Sequence, residues 1–249
     1  MLDTPLPELM STEDERAEVE ALARQAVAAP AVARLREVVR FVGSARPATQ
    51  AGNLKALDAM SLARRLGGCG DVLEDVRAMD DLPDVAFLFR WAMAAGLVAQ
   101  QGARIVTGPI AAELERDPLA AWLRIAITLM EHGPLDGFRR GWRKSYVELL
   151  DANVAGLLAA IAESGGTVPL AEIEDSGWEQ VVDHYGYEPD DHSERRTAAR
   201  LIGALVNELV ELGVAALQRD EVVLTGLGSL LLAVALSDDD IDDSDPVPR

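Results

Sequence analysis

Four arginines, Arg195, Arg196, Arg200 and Arg219, are the side chains of this sequence best suited to recognition chemistry. Three fall at the start of a segment with helical apolar periodicity, and the fourth lies in the polar turn that follows it. Guanidinium groups so placed can donate to phosphates and base edges, with Asn207 adding an amide further along. Glu194, Glu208, Glu211 and Asp220 are interspersed and offset much of that charge, so the preferred reading is a solvated helix face. The densest positive run is Phe138-Arg139-Arg140-Gly141-Trp142-Arg143-Lys144, followed by Tyr146. Its aromatics recur every four residues, giving an interaction stripe flanked by bases, a pattern that nucleic acid or a membrane surface would use. Four bases among so many acids favour instead an inter-domain helix anchored by its aromatics, with the bases paired to surplus carboxylates.

Metal-ligand chemistry gathers only at His184 and His192, with Asp183, Glu188, Asp190 and Asp191 nearby. The spacing matches no zinc motif, and Tyr185 to Ser193 reads as a loop ending in a helix N-cap. His132, beside Gly133-Pro134, reads as a helix-end residue. Cys69, set among Gly67, Gly68 and Gly70, is the single thiol, and no histidine lies near it in sequence. Phosphate loop, dinucleotide fingerprint and nucleophile elbow are all missing from the sequence. No catalytic, cofactor-binding or metal-binding residue is therefore assigned, and a protein without enzymatic activity or cofactor is expected.

Charge sets the partner class. The 249 residues carry a formal net charge of −19. Residues 1–20 hold seven acids against Arg16, and residues 238–249 hold six aspartates against Arg249. Such a chain repels phosphate, so a protein partner or a homodimer is expected, with DNA disfavoured. A lone cysteine excludes an intramolecular disulfide, and no uncharged span approaches the roughly 20 residues a bilayer needs. The expected setting is the cytoplasm, without membrane insertion.

These groups must be positioned by helices, because alanine and leucine dominate and aromatics make up only 4%. One pattern occurs twice: apolar helix, glycine, short strand, polar turn, second strand and Thr-Gly. The first copy runs from Leu82 through Gly96-Leu97-Val98 and the turn Gln100-Gln101-Gly102 to Thr107-Gly108. The second runs from Ala198 through Gly213-Val214-Ala215 and the turn Gln218-Arg219-Asp220 to Thr225-Gly226. From glycine to Thr-Gly they differ in length by one residue, and each looks like the helix and β-wing of a winged-helix, or helix-turn-helix, domain.

Ser11 or Thr12 with Glu13-Asp14-Glu15 opens a helix to about Ala29. Pro30 opens a second that stops at Gly43, and Asn53 or its neighbours start a third that places Leu57, Met60, Leu62 and Leu66 on its apolar side. Residues 111–130 and 135–150 read as bridging helices. Thr167 to Leu170 fits an edge strand, Leu170–Ile173 and Trp178–Val182 one or two short helices, 193–212 a long helix and 227–236 a closing one.

Leu35 to Gly43, Arg46 to Leu54, Asp58-Ala59, Asp81-Leu82-Pro83, Trp91-Ala92, Ala95 to Val98 and Asp117 to Trp122 resemble an uncharacterised actinobacterial family of tandem winged-helix-like repeat proteins. The resemblance covers roughly residues 30–130, implies the fold and transfers no activity. The expected architecture is mainly α with small β-hairpins, in two tandem winged-helix-like domains joined by helices. Its parts are a flexible acidic leader (1–12), a first domain (13–135), a second (136–236) and a disordered acidic tail (237–249). The function read from the sequence is a non-enzymatic regulatory or protein-interaction module. The alternative is a transcription regulator binding DNA through the second winged helix.

Overall fold

The computed structural model describes residues 13–67, 75–135 and 144–239, which form two compact units divided between Trp142 and Arg143. The architecture is mainly helical, with one small three-stranded antiparallel sheet in each unit. Among the described residues no helix is long and apolar enough to cross a membrane.

In the first unit α1 (Glu13–Ala28) precedes α2 (Pro30–Val42), β1 (Arg46–Pro47), α3 (Ala56–Arg65), α4 (Pro83–Ala94), β2 (Val98–Gln101) and β3 (Arg104–Thr107), then α5 (Glu113–Arg116) and α6 (Pro118–His132). Pro30 starts α2 because it lacks the N–H that the first turn would leave unpaired. Gly43 ends it at φ 57°, its N–H bonding Val39 O. Between them Val32, Leu35, Val38 and Val42 recur at helical spacing and are buried.

Two expectations fail in this unit. The third helix starts close to where it was expected, with Lys55 as its cap, because the Asn53 N–H is bound by Thr49 Oγ1 in a turn that Gly52 closes at φ 76°. Leu57 is 77% exposed, since the inward face of α3 runs through Ala59, Leu62 and Ala63. The helix expected from 111 to 130 is broken at Asp117, extended at φ −140° and ψ 79° because Pro118 crowds the helical conformation of the residue before it. Asp117 then caps α6, accepting the Ala120 N–H at 3.2 Å.

The second unit contains α7 (Lys144–Ala152), α8 (Val154–Glu163), β4 (Thr167–Pro169), α9 (Leu170–Tyr185), α10 (His192–Glu211), β5 (Ala215–Gln218), β6 (Glu221–Leu224) and α11 (Gly226–Asp239). The short helices expected between 170 and 182 are one continuous helix, α9, that passes through Ser176-Gly177. A Cβ on Gly177 would lie 2.5 Å from Ile202 Cδ1, so any larger residue there would have to displace that buried side chain. Leu135 sits in a turn after Gly133-Pro134 and begins no helix, while α11 continues three residues beyond the expected start of the tail. The leader 1–12 with its Ser11 and Thr12 caps, Cys69, and tail residues 240–249 lie outside the described residues.

Both units share one order: helix, strand, helix, helix, two-stranded hairpin. In both, the first strand pairs with the last, giving β1-β3-β2 and β4-β6-β5. The hairpins align at one constant offset that matches Val98 to Ala215 and Thr107 to Leu224. The incoming turn follows the same register: Leu97 N–H bonds Ala92 O, as Val214 N–H bonds Leu209 O. Gln100 and Gln101 therefore belong to β2, and the turns are the two-residue Gly102-Ala103 and Arg219-Asp220. The two Thr-Gly pairs are not equivalent. Thr107 ends a strand and its hydroxyl donates to Gly43 O; Thr225 lies one residue past its strand and donates to Gly213 O, each at 2.6 Å.

Candidate functional site

One face of α10 carries unpaired donors, and the start of this helix is held in place by its cap and by a buried tyrosine. At the N-terminus Asp191 accepts the N–H groups of Ser193 (3.0 Å) and Glu194 (3.1 Å), satisfying two donors the helix cannot use. Glu194 then turns inward, where the hydroxyl of Tyr146, 1% exposed, donates to Oε2 at 2.5 Å. Burial, and then the adjacent carboxylate, push the Tyr146 phenol well above its ordinary range. Tyr185 and Tyr187 stand edge-on to the Tyr146 ring at 5.6 and 5.8 Å, and Trp178 Nε1 donates to Pro189 O at 3.1 Å. This aromatic set joins α7 to the start of α10 and holds the intervening loop.

With Leu201, Ile202, Leu205, Val206 and Leu209 buried, the opposite side of α10 carries Arg196, Arg200 and Asn207, all exposed, with the half-exposed Gly203 between them. At about 100° per residue Glu194 and Glu208 fall off this face, and Glu211 meets it only about four turns beyond Arg196. Neither Arg196 nor Arg200 has a hydrogen bond or ion pair among the described residues. Arg195 points elsewhere and binds Asp175 of α9 at 2.5 Å. Arg219 is exposed at the hairpin turn with φ 58°, a position held in the first unit by Gly102 at φ 60°. The structure thus brings two of the four arginines onto one face, pairs one away from it and sets the fourth at the turn.

The equivalent helix of the first unit presents no such face. Seven of the twelve residues of α4 are buried, and only Pro83, Asp84 and Ala94 are exposed. Trp91 Nε1 donates to Ile125 O at 3.0 Å, so α6 packs against α4 at the position that corresponds to Glu208 of α10, beside the counterpart of the bare face. Arg90 is taken up by Asp80.

His184 packs against the Tyr185 ring at 4.6 Å, Asp191 is the helix cap, and His192 opens α10. No group of three or more His, Cys, Asp or Glu side chains capable of holding a metal ion occurs among the described residues. Nδ1 of His132 lies 2.9 Å from Thr128 O in the last turn of α6. Phe138, Arg139, Arg140, Trp142 and Arg143 of the expected interaction stripe lie outside the described residues; Lys144 is the first residue of α7. Comparison with protein-family models, curated proteins and solved structures found no match. The inward turn of Glu194 and the covering of α4 were not read from the sequence, since both depend on which side of a helix meets its neighbour.

Proposed function

We propose that this chain is a non-enzymatic, cytoplasmic interaction module of two winged-helix-like units, in which the first unit is a scaffold and the second presents α10 and its hairpin to a partner protein. The carrying observation is the contrast between two helices in the same position of one topology: α4 is buried over seven of its twelve residues with Arg90 paired to Asp80, whereas α10 is bare along Arg196, Arg200, Gly203 and Asn207. The order helix, strand, helix, helix, hairpin with the first strand on the far side of the hairpin supports the winged-helix reading. Residues 143–249 hold 22 acidic side chains against 7 basic ones, which favours protein over phosphate as the partner.

DNA is the second reading, favoured by one observation: the α10 face is free of carboxylates over its first three turns. A gel-shift titration with random duplex fragments separates the two. No shift even at about 20 mM salt, where phosphate attraction is screened least, upholds the protein reading. A shift that survives physiological salt and is lost in Arg196→Ala/Arg200→Ala/Arg219→Ala replaces it with the DNA reading. Under the protein reading, the same triple variant should lose a partner that wild-type protein retains from lysate.

A further inference from the structure

The opening helix of the shared topology packs differently in the two units. In the first, α2 lies along α4; in the second, α8 rests on α11 and β6, while α10 packs on α9. The space left between α8 and the α9–α10 pair is a cleft of about 270 Å³. Leu150, Ile161, Val168, Ile173 and Leu205 make its lining largely aliphatic. Gly156 faces it from within α8, where a Cβ would meet nothing within 4 Å. A helix-weakening residue thus stands where no neighbour requires the space. Along the α9 wall, Glu172, Ser176 and Gln180 recur every four residues, so one turn places each above the last. Among the described residues Glu172 is exposed, is the sole ionisable group of the lining, and has no hydrogen bond or ion pair.

We infer that this cleft binds a small apolar ammonium, its hydrocarbon part on the aliphatic floor and its cationic end against Glu172. Ser176 Oγ and the Gln180 side-chain carbonyl lie next along the wall and accept further N–H bonds. An anion is disfavoured because among the described residues no basic side chain lines the cleft, and the unit is strongly acidic. The volume suits roughly ten to twelve heavy atoms, below the usual drug-sized pocket and too small for a docked helix. The inference rests on the second unit's geometry alone, so its failure leaves the interaction-module reading standing.

The test is calorimetric titration of the full chain with 4-phenylbutylamine and with its isosteric anion 4-phenylbutyrate. The amine should bind about two- to fivefold more tightly, the size an exposed ion pair confers. Glu172→Gln should erase the preference, and Ala160→Trp, which fills the cleft from the exposed side of α8, should abolish binding of both. Should Ala160→Trp fail to give the wild-type circular dichroism spectrum, Gly156→Leu takes its place. Methyl NMR shifts of Ile173 and Leu205 on amine addition should locate the ligand. The inference is overturned by no binding at millimolar amine, by equal affinity for the carboxylate, or by amine binding that survives both substitutions.

Discussion

Arg219 shows how much a single position can reveal once its backbone is known. Its φ of 58° falls at the first of two hairpin residues and Asp220 has no positive φ, the pattern of a turn that prefers glycine at that first position. The other hairpin uses Gly102 there. Arg219→Gly should therefore raise stability by about 1 kcal/mol, read as a rise in thermal midpoint of roughly 2–4 °C. A fall would mean that the arginine side chain offsets its own strain. The sequence places Arg219 in a turn; it carries no sign that the turn demands left-handed backbone. Tyr146 makes a second case. Its phenol is held above the ordinary value while the unfolded phenol ionises near pH 10, so the unfolded chain loses its proton first. Stability from this group is fully present below about pH 10 and lost as pH rises beyond it. Denaturant midpoints between pH 9 and 11.5 should fall more steeply for wild type than for Tyr146→Phe. At neutral pH that variant should be less stable by about 1–3 kcal/mol, because Glu194 loses its buried donor.

Between elements, two helical glycines that look alike in sequence have opposite roles. Gly177 lets α9 and α10 approach, and Gly177→Ala should cost about 1–3 kcal/mol by pressing on Ile202. Gly203 of α10 has nothing within 4 Å of an added Cβ, so Gly203→Ala should stabilise by about 0.5–1 kcal/mol. Paired urea melts of the two variants check both signs. The helix start at Pro30, the stop at Gly43, the strand at Thr167 and the two hairpins were legible, because proline, glycine and alternating apolar residues act locally. The single helix α9 and the break at Asp117 were not. The polar stretch between Ile173 and Trp178 hid the continuity of α9, while the apolar run after residue 110 masked the constraint that Pro118 imposes on its predecessor.

On the scale of the molecule, charge is unevenly shared. Residues 1–142 carry 20 acids and 16 bases, so the surplus of carboxylates belongs mainly to the second unit. Self-repulsion there should be relieved by counterions, and raising NaCl from 10 to 150 mM should stabilise the full chain against urea. A decrease would mean that attractive pairs such as Arg195–Asp175 outweigh the repulsion. The sequence alone determined the helical composition, the twofold recurrence of helix and hairpin, and the acidity that sets the partner class, because each is a sum or a local period along the chain. Tertiary structure decided which copy keeps a bare helix, where α8 parts from α10 to leave a cleft, and which arginine is spent on Asp175. Those outcomes depend on the side of a helix that meets a neighbour distant in sequence, and periodicity fixes a face without naming what covers it.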